Sequence, residues 1–181
     1  TIVTSYHVKK ITGQEIKWLR GKGSTEFKEK ARQLVDHSLG TIPVYDNSIT
    51  SLKPILHALN NEETVGVYPE GENSIVLKRG EPTTGTLVLS AIQKNIPVIC
   101  ASLAFKDDAF FAAFANPFDN GMFQRMEDLL REKLSKEEKT DLRRKTIDYV
   151  MAIIAKNLPE QRRGYYADFQ KFINAFQNLT Q

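Results

Sequence analysis

The residues most suited to chemistry lie in the heptapeptide Y-P-E-G-E-N-S at residues 68–74. It follows a short apolar run at residues 65–67 that is typical of a buried strand, so the Pro-Glu-Gly turn sets the carboxylate of Glu70 just beyond that strand. A helical pattern and a second apolar run, residues 96–100, come next. In open α/β sheets, ligands bind in the crevice beyond the carboxyl ends of the strands. The pattern predicts that Glu70 belongs to a ligand-binding site; the alternative is an ordinary surface turn.

Three further segments accompany this heptapeptide in a fixed order. They are G-T-I-P-V-Y-D at residues 40–46, N-I-P-V-I-C at residues 95–100 and L-P-E-Q-R-R-G-Y-Y-A-D at residues 158–168. With residues 68–74 they resemble the second to fourth blocks and the tail of the glycerolipid acyltransferase family, which includes the lysophosphatidic acid acyltransferases. The family patterns are G-x-I-F-I-D-R, F-P-E-G-T-R-S, G-V-P-V-V-P and L-P-x-x-Y-R-G-x-Y-A-D. The resemblance implies an enzyme that transfers a fatty acyl group from a thioester to a hydroxyl acceptor.

The first block of that family is H-x-x-x-x-D after a strand, and it supplies a catalytic base and an aspartate that orients it. Residues 2–6 are typical of a strand, and His7 follows them, upstream of the second block. Thr12 stands where the family has the aspartate. The resemblance implies that His7 is the base, while Thr12 can hydrogen-bond the imidazole but cannot stabilise its charged form as a carboxylate would. The alternative for His7 is an ordinary surface histidine.

Two arginines of the family are also replaced. Asp46 stands at the second-block position and Asn73 at the third-block position. In the family these arginines are associated with the phosphate of the acceptor, so the replacements imply a weak preference for phosphate-bearing acceptors. Ser74, Lys78 and Arg79 follow the motif and are candidates to bind the acceptor instead. The alternative for the two cations is a solvated turn.

Acyl transfer to an alcohol needs a base for the hydroxyl proton and donors for the developing oxyanion. By resemblance, Glu70 supports the acceptor site as the second catalytic-site residue. Pro69 and Gly71 complete the acceptor-binding turn, and the glycine lets the backbone approach a ligand. The resemblance implies no bound cofactor and no metal. Acyl-CoA or acyl carrier protein is the expected acyl thioester donor, and a lysophospholipid or other lipid hydroxyl compound is the expected acceptor.

The elements that must position these residues alternate between strands and helices. Helical spacing predicts helices over residues 24–39, from Ser51 with Pro54 in the first turn, and over residues 84–94. Apolar, β-prone runs predict strands at residues 41–45, 65–68, 97–105 and 109–115. We therefore expect an α/β fold with a largely parallel central sheet flanked by helices, in one acyltransferase-like domain spanning residues 1–181. Residues 65–68 and 98–105 are the expected interior strands.

A helical C-terminal part completes the expected fold. Apolar stripes follow Gly121 and predict helices that pack into the core, with Pro159 marking the end of one of them. The last stripe, on residues 169–176, has membrane or partner contact as its alternative. Cys100 lies inside an apolar run, which predicts a buried, inert thiol and is compatible with a reducing cytoplasm.

Charge is unevenly placed in this chain of formal charge +3. Residues 1–40 hold eight Lys or Arg against four Asp or Glu. With Trp18 and Leu19 beside them, these cations favour contact with an anionic membrane surface, each contributing roughly 1 kcal/mol; a solvated face is the alternative. No nucleic-acid motif accompanies the charge, so nucleic acid is not an expected partner. The expected location is cytoplasmic, with a peripheral position on the inner membrane face as the open alternative.

Three functions stay open at this point. The chain is an acyltransferase with an altered first block that uses His7, a catalytically inactive relative that binds lipid or acyl carrier, or an unrelated α/β binding protein. The resemblance ranks them in that order.

Overall fold

A computed structural model of the protein describes residues 16–21, 42–44, 49–71, 74–106 and 109–179. They belong to two compact units, Thr1–Tyr68 and Pro69–Gln181. Helix is the dominant secondary structure of the described residues.

The first unit contains a three-stranded parallel sheet. Its central strand is β1 (Ile16–Gly21), which pairs with β2 (Ile42–Val44) on one side and with β3 (Thr64–Gly66) on the other. The registers place Leu19 opposite Ile42 and Lys17 opposite Val65. Strand β2 confirms the strand expected at residues 41–45, and β3 overlaps the one expected at residues 65–68.

One helix of this unit, α1 (Ile49–Asn60), lies between β2 and β3 in the chain. Ile55 and Ala58 are buried. The helix starts two residues before the expected Ser51, so Pro54 lies in the second turn rather than the first. Because proline has no N–H, that turn lacks one helical hydrogen bond.

The second unit is built mainly from helices. In chain order it contains α2 (Pro82–Gln93), β4 (Cys100–Lys106), β5 (Ala109–Ala115), α3 (Asn120–Arg131), α4 (Lys136–Lys156), the 3₁₀ turns Glu160–Arg162 and Gly164–Tyr166, and α5 (Phe169–Gln177). Helix α2 confirms the helix expected at residues 84–94 and begins with Pro82, whose missing N–H costs nothing in a first turn.

Side-chain caps fix where the later helices begin. The carboxylate of Asp119 accepts from the N–H of Met122 at 2.7 Å, at the start of α3. Ser135 and Glu138 form a reciprocal capping box at the start of α4. The carboxylate of Asp168, the last residue of the family-like tail, accepts from Lys171 at the start of α5. Each cap satisfies an N–H that the first turn of a helix leaves without a backbone partner.

Helix α4 is the centre of the core. Its residues Ile147, Met151 and Ala155 are fully buried, which confirms the expected apolar stripe. Helix α5 packs on it through stacked rings of Tyr149 and Phe176, with centroids 4.4 Å apart. The stripe on residues 169–176 is thus a core stripe, because Ile173 and Phe176 are buried within the second unit.

The expected largely parallel central sheet is wrong. Among the described residues, β3 is an edge strand of the small parallel sheet in the first unit. Strand β4 pairs with β5, antiparallel, with Ser102 opposite Ala113. The physical reason is the chain between β4 and β5, which is two residues long; such a connection reverses the chain, whereas parallel neighbours need a crossover of a dozen residues or more. Residues 65–68 and 98–105 are therefore not interior strands of one sheet.

The second apolar run is also shorter as a strand than its sequence indicates. Strand β4 begins at Cys100, and Ile99 is 64% exposed just before it. Pro97, three residues before the strand, has no N–H to give to a ladder. Strand β1 was not expected at all, although Ile16 and Trp18 are β-prone residue types. The strand expected at residues 2–6 and the helix expected over residues 24–39 lie outside the described residues.

Candidate functional site

The carboxylate of Glu70 is held by its own segment of chain. Its Oε2 atom accepts a short hydrogen bond from the hydroxyl of Ser74 and a second one, of 2.6 Å, from the backbone N–H of Lys78. Glu70 and Ser74 are half-buried. Three of the residues singled out from the sequence thus meet in one local arrangement. One oxygen of the carboxylate thus ties Glu70 to both Ser74 and Lys78.

The same turn is closed a second time by the backbone. The carbonyl of Pro69 accepts from the N–H of Glu81 at 2.8 Å. Gly71 has φ +78°, a left-handed conformation that glycine adopts without strain. A Cβ there would lie 3.3 Å from Cγ of Glu81. The Pro-Glu-Gly tripeptide is therefore fastened to the residue that precedes α2, and its glycine is needed for its shape.

The segment after Glu70, residues 74–81, is bound to the tail segment, residues 158–168. The N–H of Leu77 donates to the carbonyl of Arg162 at 2.9 Å, and the carbonyl of Leu77 accepts from the N–H of Tyr165 at 3.0 Å. The Arg162 guanidinium also donates to the carbonyl of Ile75 at 3.1 Å. The tail segment is thus bonded to the residues that directly follow the heptapeptide, Ile75 and Leu77.

A buried tyrosine of the tail segment, Tyr166, connects the residues after Glu70 to helix α4. The hydroxyl of Tyr166 accepts from the N–H of Gly80 at 3.0 Å and donates to the carboxylate of Asp148, on α4, at 2.7 Å. Tyr166 is 0% exposed and Asp148 is 8% exposed. Burial is the main reason that the pKa of Tyr166 lies far above its usual value, and the hydrogen bond to Asp148 raises it further. The tyrosine is therefore a neutral O–H donor throughout the ordinary pH range.

Two arginines compensate the buried charge of Asp148. The guanidinium of Arg144 lies 3.8 Å from one carboxylate oxygen and donates to the carbonyl of Gly80 at 2.7 Å. The guanidinium of Arg79 lies 3.5 Å from the other oxygen and 5.4 Å from the ring centre of Tyr165. A buried carboxylate needs such partners, because removing a charge from water is costly. Because Arg79 contacts Asp148 and Tyr165, it would have to leave these partners in order to bind an acceptor phosphate.

The fourth family-like segment, residues 95–100, joins α2 to β4. Asn95 has φ +55° and donates its N–H to the carbonyl of Ile92 at 3.0 Å, which ends the helix. Cys100 at its other end is buried and free, as expected from the sequence. Burial raises the pKa of its thiol to about 12, so it is a packing residue rather than a nucleophile.

The remaining site residues fall elsewhere. His7, Thr12, Asp46 and Asn73 lie outside the described residues. Lys78 is exposed, and its backbone N–H is the one that Glu70 accepts. The described part therefore brings Glu70, Ser74 and Lys78 together, with Pro69 and Gly71 beside Glu70 in the chain, whereas the Arg79 guanidinium lies against Asp148 and Tyr165.

Sequence reasoning overlooked Asp148 and Arg144. A signal for Asp148 was present, because this acid interrupts the apolar stripe of α4 directly beside Ile147 and Tyr149. An acid in a buried stripe needs a partner, and the tyrosines and arginines of the tail were the obvious donors. Arg144 carried no comparable signal, since basic residues are frequent on that exposed end of α4.

Two classes of feature are absent from the described residues. No group of three or more His, Cys, Asp and Glu side chains there is placed to hold a metal ion. Among those same residues, no helix combines the length and the apolar character that crossing a membrane requires. Comparisons of the chain with models of protein families, with curated proteins and with solved structures gave no match.

Proposed function

We propose that the protein is an O-acyltransferase that moves a fatty acyl group from a thioester, acyl-CoA or acyl carrier protein, to the hydroxyl of a lysophospholipid or related lipid. The proposal rests on the four family-like segments and not on the sheet. The observation that supports it is the hydrogen bonding of the tail segment, residues 158–168, to the backbone of Leu77, three residues after the Y-P-E-G-E-N-S heptapeptide.

The chemistry assigns a role to each group. His7 takes the proton of the acceptor hydroxyl while the acceptor oxygen attacks the carbonyl carbon of the thioester. The carbon–sulfur bond then breaks, and the leaving thiolate receives the proton from the imidazolium. Thr12, in the place of the family's aspartate, gives the imidazolium no opposite charge, so we expect slow turnover. Glu70 supports the acceptor side, on a turn that is fixed before substrate arrives.

A second candidate is a catalytically inactive relative that binds lipid or acyl carrier. The observation that favours it is the use of Glu70 Oε2, which accepts both of its recorded hydrogen bonds from its own turn. A carboxylate whose hydrogen bonds hold its own turn in place can shape a binding surface without taking part in catalysis. This candidate predicts binding of an acyl thioester or of a lysophospholipid without ester formation.

The experiment is an acyl-transfer assay of the full chain with palmitoyl-CoA. The acceptors are lysophosphatidic acid, lysophosphatidylcholine and monoacylglycerol, and the ester product is measured by mass spectrometry. We expect a product with at least one acceptor. His7→Ala should lower the rate by about 10²–10⁴-fold, the usual contribution of a general base. Thr12→Asp should raise it.

His57→Ala is the matched control. His57 is exposed on α1, and its ring nitrogen lies 3.1 Å from the side-chain amide of Asn61, so its loss should leave the rate unchanged. If no acceptor is acylated, with either palmitoyl-CoA or palmitoyl acyl carrier protein, the enzymatic proposal is wrong. Tight binding of the donor in that case would establish the second candidate.

A further inference from the structure

The buried Tyr166 and Asp148 do not belong to any of the roles assigned above, yet they are joined to the Glu70 turn. Starting from the core, the carboxylate of Asp148 accepts from the Tyr166 hydroxyl, and that hydroxyl accepts from the N–H of Gly80. Two residues before Gly80, the N–H of Lys78 donates to Glu70. One residue after Gly80, the N–H of Glu81 donates to Pro69. Gly80 therefore lies in the chain between Lys78 and Glu81, the two residues whose N–H groups bond to Glu70 and Pro69.

Gly80 is also closely packed against α4. A Cβ on Gly80 would lie 2.6 Å from a side-chain carbon of Ile147 and 3.0 Å from one of Met151. The backbone at Gly80 thus rests directly on α4. Its N–H donates to the Tyr166 hydroxyl, and its carbonyl accepts from the Arg144 guanidinium. Both backbone polar groups of Gly80 are bonded to side chains that also contact Asp148.

We infer that Asp148 and Tyr166 are positioning residues that set the location of the Glu70 carboxylate by anchoring the backbone at Gly80. They act through Lys78 and Glu81 and need not touch substrate. The catalytic part of this inference rests on the proposed acyl transfer, but the positioning itself is a physical property of the chain. It can therefore be measured whether or not the chain is an enzyme.

The measurement is hydrogen exchange of the backbone amides in the full chain. Tyr166→Phe removes the acceptor of the Gly80 N–H and leaves the ring in place. The informative amide is that of Lys78, because its partner is Glu70 and not Tyr166. We expect exchange of the Lys78 amide to become about tenfold faster, whereas the amide of Met151 in α4 keeps its protection.

Tyr149→Phe is the matched control. Tyr149 is a buried tyrosine of the same core, and its hydroxyl donates to the carbonyl of Pro117 at 2.5 Å, away from the turn. Tyr149→Phe removes a hydroxyl just as Tyr166→Phe does. Because the Tyr149 hydroxyl does not bond to Gly80, its loss should leave the exchange of the Lys78 amide unaffected. If Tyr166→Phe loosens the whole core, Asp148→Asn provides the second variant. It keeps an oxygen for the Tyr166 hydroxyl but removes the charge that orders both arginines, and it should speed exchange at Lys78 to a smaller extent.

Unchanged exchange of the Lys78 amide in both variants, relative to Met151, would overturn the inference. A rise of equal size in the Tyr149→Phe chain would overturn it as well, because the effect would then be one of general core loosening. Where the parent chain transfers acyl groups, both variants should lower kcat more than they raise KM for the donor. A parent without transfer activity refutes the proposed function alone, and the exchange result still decides the positioning role.

Discussion

Gly164 lies directly against Leu77, so that a Cβ on Gly164 would stand only 2.1 Å from the Leu77 carbonyl oxygen. This contact brings the tail segment onto the chain that follows Glu70, and it lets the N–H of Tyr165 reach the same carbonyl. The backbone of Gly164 is left-handed, with φ +49°. Both the close approach and the conformation require glycine at this position.

Gly164→Ala should therefore lower the free energy of unfolding by about 2 kcal/mol or more, since it adds a left-handed alanine and a backbone clash. Gly121→Ala is the control. Gly121 lies in the first turn of α3, where the nearest atoms to a Cβ are 3.5 Å away. That change should alter stability by less than about 1 kcal/mol. Urea unfolding followed by circular dichroism measures both; equal stabilities of the two variants would contradict the close contact.

Gly85 gives a second test, of the packing between α2 and α4. Alanine is the better helix former by about 1 kcal/mol, so helix propensity alone predicts that Gly85→Ala stabilises the chain. A Cβ there, however, would lie 2.3 Å from the carbonyl oxygen of Arg143, a backbone atom that cannot rotate away. We expect the clash to dominate and the free energy of unfolding to fall by about 1–3 kcal/mol.

The control for Gly85 is Gln93→Ala, which introduces the same residue at an exposed position of the same helix. It should leave the midpoint of thermal unfolding almost unchanged. A Gly85→Ala chain that melts at a higher temperature than the parent would show that α2 and α4 are not in backbone contact.

The capping box of α4 makes stability depend on acid pH. The carboxylate of Glu138 accepts from the N–H of Ser135 at 2.7 Å, and the Ser135 hydroxyl accepts from the N–H of Glu138 at 3.2 Å. These bonds lower the pKa of Glu138 below the ordinary 4.5. A carboxyl group with a lowered folded-state pKa stabilises the fold above its unfolded pKa, and that contribution is lost as the pH falls through the folded pKa.

We therefore expect Glu138→Gln to be less stable than the parent at about pH 7, with the difference shrinking at about pH 3. Ser135→Ala should cost about 0.5–2 kcal/mol at neutral pH, the usual value of an N-cap. Glu137→Gln, one position earlier and also exposed, is the control. Urea unfolding at the two pH values measures all of them. A Glu138→Gln difference that is the same at both would mean that the carboxylate does not take part in the cap.

The helices of this protein could be predicted from sequence because their signals are local. The spacing of Ile147, Met151 and Ile154 defines a buried stripe without reference to any other part of the chain. Strand pairing is not local. The apolar run that contains β4 does not indicate which strand it pairs with. The two-residue connection to β5 does indicate an antiparallel partner, but the expectation of βαβ units favours a parallel one.

The candidate site divides in the same way. The Glu70 turn could be predicted, because proline, a carboxylate and a left-handed glycine stand together in the sequence. Its anchoring could not, because Leu77 meets Arg162 and Gly80 meets Tyr166 across a long stretch of chain, 86 residues for the second pair. The sequence signal for this anchoring was the position of an acidic residue, Asp148, within an apolar stripe.

By resemblance to the acyltransferase family, Asp46 and Asn73 stand where that family has arginines, and this replacement predicts the preferred acceptor. An aspartate at such a position would repel a phosphate, whereas an arginine would hold it with charge-assisted hydrogen bonds. The parent chain should therefore bind a neutral or zwitterionic lysolipid better than lysophosphatidic acid. The double change Asp46→Arg with Asn73→Arg should raise the affinity for lysophosphatidic acid, and added salt should weaken the gain.

The control for the acceptor is Asp46→Gln with Asn73→Gln, which removes the acid without adding a cation. Isothermal titration at low and high salt separates the two effects. If the parent already binds lysophosphatidic acid tightly and the arginines add nothing, another cation such as Lys78 holds the phosphate.

The most direct test of the proposed function is the initial rate of acyl transfer by Glu70→Gln at a matched folded fraction. Glutamine keeps an oxygen for the N–H of Lys78 and so preserves the turn, but it removes the negative charge. We predict a rate lower by about tenfold or more, because a preorganised charge at an acyl-transfer site is lost. The exposed Glu132→Gln, in the same unit, should keep the parent rate. A Glu70→Gln chain that transfers acyl groups as fast as the parent would contradict a catalytic-site role for Glu70.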